Sequence, residues 1–282
     1  MGIVYIDGAF YSREEAKVSV YDHGYLYGDG LFEGIRVYDG EIFECEAHID
    51  RLYRGARAIA LDIPLNKAEM TAALRETCGK SGLRDAYIRL VVSRGKGDLG
   101  INPMNCKKPT VVIIVDTIQM YPQEMYEKGM AVITAATRRN SPAALDPQLK
   151  SLNYLNNILA KIEANFAGVP EAIMLNAGGY VCECTGDNIF MVQGGALYTP
   201  PIHLGALNGI TRGVVMHLAE KLGIHVAERE MTLYNLYSAD EVFLSGTAAE
   251  IIGVTRIDNR PIADGAVGPL TRRLMENFKT AF

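Results

Sequence analysis

The chain has 282 residues, 49% of them hydrophobic and 22% charged, the balance of a folded protein with a core large enough to hold a buried site. Its 28 basic residues face 33 acidic ones for a net charge of −5, and no basic block stands out, which argues against nucleic acid as the main partner. No apolar run approaches the roughly 18 residues of a membrane span, and the start, Met1-Gly-Ile-Val-Tyr-Ile-Asp7, lacks both the basic and the apolar stretch of a signal peptide, so a cytoplasmic protein is expected.

At roughly 150 residues per domain, the length suits one large domain or two modest ones. Cysteines 45, 78, 106, 182 and 184 are an odd, scattered set, which implies a reducing compartment rather than a disulfide framework. Cys182 and Cys184 have no second pair or flanking His, so no metal site is expected.

In chain order, residues 3–6 are expected as a short strand turned by Asp7-Gly8. Residues 32–38 and 41–44 form a predicted hairpin closed by Asp39-Gly40, a type I′ signal. Helices over 46–60 and 67–80 follow, with Leu, Ile and Ala at helical spacing. Strands over 87–93 and 110–118 flank a glycine-rich loop, and 119–129 lapses into Tyr, Pro, Gln and Glu, a plausible domain connection. Beyond it the pattern alternates: strand 130–137, helix 153–166, strands 172–175, 181–183 and 188–192, helix 209–222 stopped by Gly223, strands 242–244 and 251–257, and a closing helix 270–278. The expected architecture is two α/β (α+β) domains, 1–118 and 130–282, with a site between them.

Four segments have the wrong chemistry for mere core packing. Lys150 ends a Pro-punctuated loop just before a helix. Alone it is an ordinary surface lysine; if buried, its amine becomes available for Schiff-base chemistry. Glu183 lies between apolar strand positions, where a carboxylate is costly unless a cation meets it; a strand-end Glu facing water is the bland alternative. Leu207-Asn-Gly-Ile-Thr-Arg212 opens a helix, so the amides of Ile210 and Thr211 sit at a positive dipole end where a phosphate binds. Ser245-Gly-Thr-Ala248 runs from strand into turn and offers the Ser245 and Thr247 hydroxyls beside free amides. Arg51 could supply a fixed charge to the same phosphate, or simply decorate a helix face. The glycines of Tyr27-Gly-Asp-Gly-Leu-Phe-Glu-Gly34 do not match a dinucleotide fingerprint, because the third comes one residue late and no apolar strand precedes them.

Taken together and in order, Lys150-Ser-Leu-Asn-Tyr154, Glu183 with Asn188-Ile-Phe190, Gly209-Ile-Thr-Arg212 and Ser245-Gly-Thr-Ala248 resemble the class IV, or fold type IV, pyridoxal-phosphate aminotransferases over essentially the whole chain. The resemblance implies a smaller N-terminal and a larger C-terminal domain with pyridoxal 5′-phosphate between them, in a homodimer or dimer-built oligomer. It makes Lys150 the cofactor's lysine and the proton carrier, Glu183 the partner of the pyridine nitrogen, and Tyr154 the neighbour of the phenolic oxygen. Arg51, Ile210, Thr211, Ser245, Gly246 and Thr247 then hold the phosphate, and Thr247 with Ala248 meets the substrate α-carboxylate.

Phe32-Glu-Gly-Ile-Arg36 and Tyr87-Ile-Arg89 resemble the branched-chain branch of that family. Tyr27, Phe32, Gly34, Arg36 and Tyr87 would then line the side-chain pocket, with Arg89 recessed in it for the second carboxylate of glutamate or 2-oxoglutarate. The implied reaction is ping-pong transfer of an amino group between L-leucine, L-isoleucine or L-valine and 2-oxoglutarate. Relatives specific for D-amino acids or broad in specificity, and aminodeoxychorismate lyases, are the alternatives. The D-specific relatives tend to carry a larger residue at position 34, and the lyases a Thr-containing stretch in place of Phe-Glu-Gly. A nicotinamide oxidoreductase is the reading from another class.

Overall fold

In the computed structural model, which describes residues 2–118 and 121–279, the chain divides into two compact units, Met1–Gln119 with Leu149–Asn153 and Met120–Gln148 with Tyr154–Phe282. The first two residues of the expected connection, 119 and 120, lie outside the described residues.

The first unit is built on one antiparallel sheet of β1 (Ile3–Ile6), β2 (Ala9–Ser12), β3 (Gly30–Tyr38), β4 (Glu41–Ile42), β5 (Ala86–Ser93) and β6 (Thr110–Asp116), in the order β2-β1-β6-β5-β3-β4. The side-chain period of two sorts its faces. Leu31, Ile35, Val37, Ile88, Leu90, Val92, Val111, Ile113 and Val115 point to one side, where α2 (Cys45–Ala58) and α3 (Lys67–Ser81) cover them. Phe32, Gly34, Arg36, Tyr87 and Arg89 therefore share the other side. The β3–β4 turn is as expected, with positive φ at both Asp39 (49°) and Gly40 (90°). The second strand of that hairpin is shorter than expected, because Glu44 turns left-handed (φ 48°) and α2 starts at Cys45. Helix α3 is bounded by a reciprocal capping box, Glu69 N to Asn66 Oδ1 at 3.0 Å and Asn66 N to Glu69 Oε2 at 2.7 Å. A short α1 (His23–Tyr27), absent from the sequence expectations, is capped by the Asp22 carboxylate.

Residues 149–153, expected in the second domain, belong to this unit. They run against β3: Phe32 N donates to Lys150 O (2.9 Å), Leu152 N to Gly30 O (3.0 Å), and Leu31 bridges Ser151. The candidate lysine is thus tied by its backbone to the strand that carries Phe32.

The second unit holds a nine-stranded mixed sheet. Its strands are β7 (Met130–Thr134), β8 (Glu171–Leu175), β9 (Val181–Cys184), β10 (Asn188–Gln193), β11 (Ala196–Thr199), β12 (Val226–Glu228), β13 (Glu241–Gly246), β14 (Glu250–Ile257) and β15 (Arg260–Pro261). Strands β14, β7 and β8 are parallel neighbours, and β8 is buried along its whole length, its residues after Glu171 forming the continuous apolar run that a covered parallel strand needs. Among the helices, α4 (Gln123–Lys128) forms inside the stretch expected as a patternless connection, and α7 (Leu233–Tyr237) is a single short turn. α5 (Leu155–Phe166) packs on β8 through Ala160, Ala164 and Ala172, small residues that let helix and sheet approach closely. α6 (Ile210–Lys221) and α8 (Pro269–Phe278) pack on each other and on β13. Phe190 and Phe243, paired across β10 and β13, stack at 4.9 Å. Among the described residues no helix is long and apolar enough to cross a membrane, and none of the clusters suits a metal ion.

Candidate active site

In the first unit four of the expected residues come together on the face of the sheet away from α2 and α3. The Lys150 ammonium lies 4.5 Å from the centroid of the Phe32 ring. The Arg89 guanidinium lies 4.7 Å from that ring and 5.7 Å from the ring of Tyr87. Arg89 is exposed rather than recessed, held over two aromatic faces by cation–π attraction. Gly34 makes this packing possible, since a Cβ there would fall 1.8 Å from the Tyr87 hydroxyl. Any side chain at position 34 must displace the Tyr87 ring. Arg36, opposite Tyr87 on β5, lies over the Tyr38 ring at 5.1 Å. Tyr27, on α1, donates its hydroxyl to the carbonyl of Leu99.

Arg51 is buried on α2 and is gripped by Glu33: Nε donates to Oε1 at 2.8 Å and Nη2 to Oε2 at 2.6 Å. His48, one turn earlier, places Nδ1 2.8 Å from Glu33 Oε2. Burial alone would raise the Glu33 carboxyl, but the Arg51 guanidinium and the His48 bond outweigh it and hold the group at about 2. Burial pushes the His48 imidazole down, against the pull of Glu33 and with the charges of Arg51 and Lys150. His48 is therefore neutral and donates from Nδ1, which leaves Nε2, buried without a partner among the described residues, as a bare acceptor.

This arrangement makes the first unit acid-sensitive. Glu33's folded value lies below the usual carboxylate value, so its stabilisation is complete above about pH 4.5 and is lost as the pH falls through about 2. His48, lowered from 6.5, acts in the same direction. The difference for Glu33 corresponds to about 3 kcal/mol. Urea unfolding of the wild type at pH 5 and pH 2.5 is expected to show a loss of that order, and Glu33→Gln, already destabilised by taking the negative charge away from Arg51, a much smaller one. Equal losses in the two proteins would contradict the network.

In the second unit Glu183 is buried on β9 between two buried thiols. Its cation is Arg139, whose Nε and Nη2 lie 2.8 and 2.7 Å from Oε1. Arg139 is itself braced by Asn156 Oδ1 (2.9 Å) and Asn157 Oδ1 (3.1 Å). Glu183 Oε2 accepts from Leu207 N at 2.8 Å, which ties the carboxylate to the loop that opens α6. Burial, with Glu183 adjacent, pushes the Cys182 thiol up to about 12, so this cysteine is inert.

Of the two segments expected as anion cradles, one opens α6 and the other runs out of the end of β13. α6 starts at Ile210 with Gly209 as an uncapped N-cap, so its first amides have no side-chain acceptor. Thr211 Oγ1 and Ser245 Oγ are buried without partners among the described residues. A buried hydroxyl with nothing to bond is costly unless a ligand completes it. The two glycines of the cradles are required by close approach, because a Cβ would fall 2.0 Å from Asn188 Oδ1 at Gly209 and 2.0 Å from Asp187 Oδ1 at Gly246. Thr247 and Ala248 form the half-buried turn after β13, and Tyr154 is the half-buried residue before α5.

In the second unit a fixed carboxylate suits a cationic ring nitrogen, and uncapped amides with two orphan hydroxyls suit a phosphate, the two ends of a phosphorylated pyridine aldehyde; in the first unit Lys150 offers an amine of the kind that such an aldehyde takes. The family model for class IV amino-transferases matches residues 30–257 of this chain. The chain belongs to the class IV aminotransferases. A protein of Methanocaldococcus jannaschii, provisionally named as a branched-chain-amino-acid aminotransferase, is 53% identical over 276 residues, covering 98% of this class IV enzyme and 95% of that one. The branched-chain-amino-acid aminotransferase of Escherichia coli K12 is 36% identical over 281 residues, 98% and 91% of the two chains. Among solved structures, the Escherichia coli branched-chain amino acid aminotransferase superposes with a TM-score of 0.96 at 35% identity, covering 99% of this chain and 94% of that one. A T.th. branched-chain amino acid aminotransferase with pyridoxamine 5′-phosphate does so at 0.95 and 38%, covering 99% and 93%.

The sequence expectations for this aminotransferase gave no role to Glu33, His48, Arg139, Asp187 or Asn188, although Glu33 and Asn188 lie inside its motifs. Glu33 carries the signal used for Glu183, an acid inside an apolar strand, and was open to the same reasoning. Arg139 carries none, since its partner lies 44 residues away.

Proposed function

We propose that this enzyme transfers the amino group between L-leucine, L-isoleucine or L-valine and 2-oxoglutarate, with pyridoxal 5′-phosphate as cofactor. The observation that carries the reading is the Lys150–Phe32–Arg89–Tyr87 array on one face of the first sheet. An apolar wall that also presents a cation is what a pocket needs to take an alkyl side chain and a second carboxylate in turn.

Pyridoxal 5′-phosphate, when bound, supplies a sink for the electron pair left when the substrate's Cα–H bond breaks. Lys150 would hold the group through its amine, and its Nζ would carry the proton taken from the substrate's Cα. Glu183 keeps a negative charge at the ring nitrogen, with Arg139 and Leu207 N fixing its two oxygens. Arg51, the Ile210 amide, Thr211, Ser245, Gly246 and Thr247 take the phosphate, and Tyr154 the phenolic oxygen. The Thr247 and Ala248 amides take the α-carboxylate. Tyr27, Phe32, Gly34, Arg36 and Tyr87 line the side-chain pocket, and Arg89 binds the second carboxylate of 2-oxoglutarate.

A homodimer is part of this reading. Leu155, Ile158, Leu159, Ile162 and Phe166 form an exposed apolar stripe at helical spacing along α5, which a second copy of the chain would cover. A solution mass of one chain would overturn it.

The visible spectrum, recorded before and after L-leucine or D-alanine, tests the activity. L-leucine alone is expected to bleach the cofactor band; bleaching by D-alanine alone would move the enzyme to D-amino acids. A band that neither substrate moves would point to lyase chemistry.

A further inference from the structure

Asp187 immediately precedes β10 and Asn188 opens it, and each side chain lies against one glycine, Gly246 and Gly209 respectively. Asn188 donates Nδ2 to Leu207 O (2.9 Å) and fills the space at Gly209, bracing the loop before α6. Asp187 fills the equivalent space at Gly246. Both side chains are almost fully buried, and neither has a role in the chemistry described above. Amide and acid differ in one respect, which is that only Asp187 can become charged.

We propose that Asp187 is a positioning residue for the turn Gly246–Ala248, and that its charge state sets how tightly this turn binds the carboxylate of the substrate. The inference rests on the reading that the α-carboxylate meets the Thr247 and Ala248 amides. An ionised carboxylate packed under that turn opposes the partial positive charge that its amides present to an anion; a neutral one supports the turn without opposing it.

The surroundings place the change of charge in the working range. Burial, followed by the charge of Glu171 on β8, raises the Asp187 carboxyl, while the hydrogen bond from Tyr121 Oη (3.4 Å) and the charge of Lys161 on α5 lower it, for a value of about 7. Glu183 on β9 raises it further, and Cys184 on the same strand is an uncharged, buried thiol. Glu171 stays close because its oxygens accept from Ala172 N (2.7 Å), Thr185 N (3.1 Å) and Gly186 N (3.3 Å), the turn that leads into Asp187.

The test is calorimetric binding of 4-methylvaleric acid to the holoenzyme between pH 6 and 8.5. That probe carries a carboxylate, already ionised throughout the range, and no amino group to titrate. Wild-type affinity is expected to fall roughly tenfold across the range, the size expected of a like charge within about 12 Å at an effective dielectric near 20. Asp187→Asn, which keeps the shape and cannot ionise, is expected to hold the low-pH affinity throughout. Tyr121→Phe, which removes a bond that lowers the Asp187 value, is expected to move the wild-type midpoint to higher pH, and it serves as an independent test should the Asn variant fold poorly. Identical pH profiles for wild type and both variants, in an enzyme whose visible band L-leucine still bleaches, would overturn the inference and leave the activity standing. A protein whose band ignores L-leucine and which binds no 4-methylvaleric acid at any pH would overturn both.

Discussion

Lys150→Ala is expected to abolish transamination, with kcat down by at least about four orders of magnitude, while the protein stays folded. The proposed function gives Lys150 two roles that are lost at once, the hold on the cofactor and the proton transfer at the substrate carbon, and a positioned acid–base group alone contributes about 10²- to 10⁴-fold. The fold survives because the segment is held by backbone: the Lys150 carbonyl accepts from Phe32 N, and Leu152 N donates to Gly30 O. The variant gives up the ammonium's contact with the Phe32 ring, worth about 0.5–1 kcal/mol at a half-exposed position. The check joins two measurements. Stopped-flow half-reactions with L-leucine read the chemistry, and borohydride reduction followed by peptide mass spectrometry reads the attachment. Wild type is expected to carry the cofactor mass on the peptide with Lys150, and the variant on none. Turnover within tenfold of wild type, or a reduced cofactor found on another lysine, would remove Lys150 from the centre of the mechanism.

How much of this was legible in the sequence depends on whether each residue's environment is local. β5 and β6 each alternate buried and open positions over seven residues, a period that pairing and packing both reinforce, so their existence and facing are readable directly. β2 is not, because it is an edge strand with exposed or half-exposed side chains and no apolar period. α1 and α7 are single short turns, and α1 depends on the Asp22 cap more than on any pattern of its own. The unit boundary was misplaced around Lys150 for a related reason. The pairing of Leu31 with Ser151 joins residues far apart in sequence, and nothing in either segment announces the other. At the site, Lys150, Glu183, Thr211 and Ser245 were individually ambiguous and became specific as an ordered set. Arg139, which holds Glu183, His48, which bonds the Glu33 carboxylate that grips Arg51, and Asp187, which packs on Gly246, are ordinary in sequence and acquire meaning from contacts across 15 to 66 residues. Chemistry concentrates in short motifs, whereas its support is tertiary.

The second large effect is expected at Glu183, and its sign follows from Arg139. Glu183→Gln preserves the shape and one hydrogen-bond acceptor but removes the charge that Arg139 now neutralises across 2.7 Å. In the role proposed for Glu183, the ring nitrogen would then face an uncompensated guanidinium instead of a carboxylate, and protonating it would become unfavourable. Loss of the charged partner from a pre-organised site costs about 10²- to 10³-fold in kcat, and a reversal of the local sign pushes toward the upper end. Stability falls as well, because breaking a buried pair by removing one partner leaves a stranded charge and costs about 3–5 kcal/mol. The two consequences can be separated with a second substitution. Replacing Arg139 with Met in the Glu183→Gln background takes away the stranded cation, so thermal stability of the apoprotein is expected to recover while the rate does not. Arg139→Met alone is expected to lose stability, because the buried Glu183 carboxylate loses its guanidinium, yet to keep more of the rate than Glu183→Gln, since the carboxylate remains at the ring nitrogen. If the double variant regained the rate together with the melting temperature, Glu183 would be a structural partner of Arg139 and the ring nitrogen would need a different counter-charge.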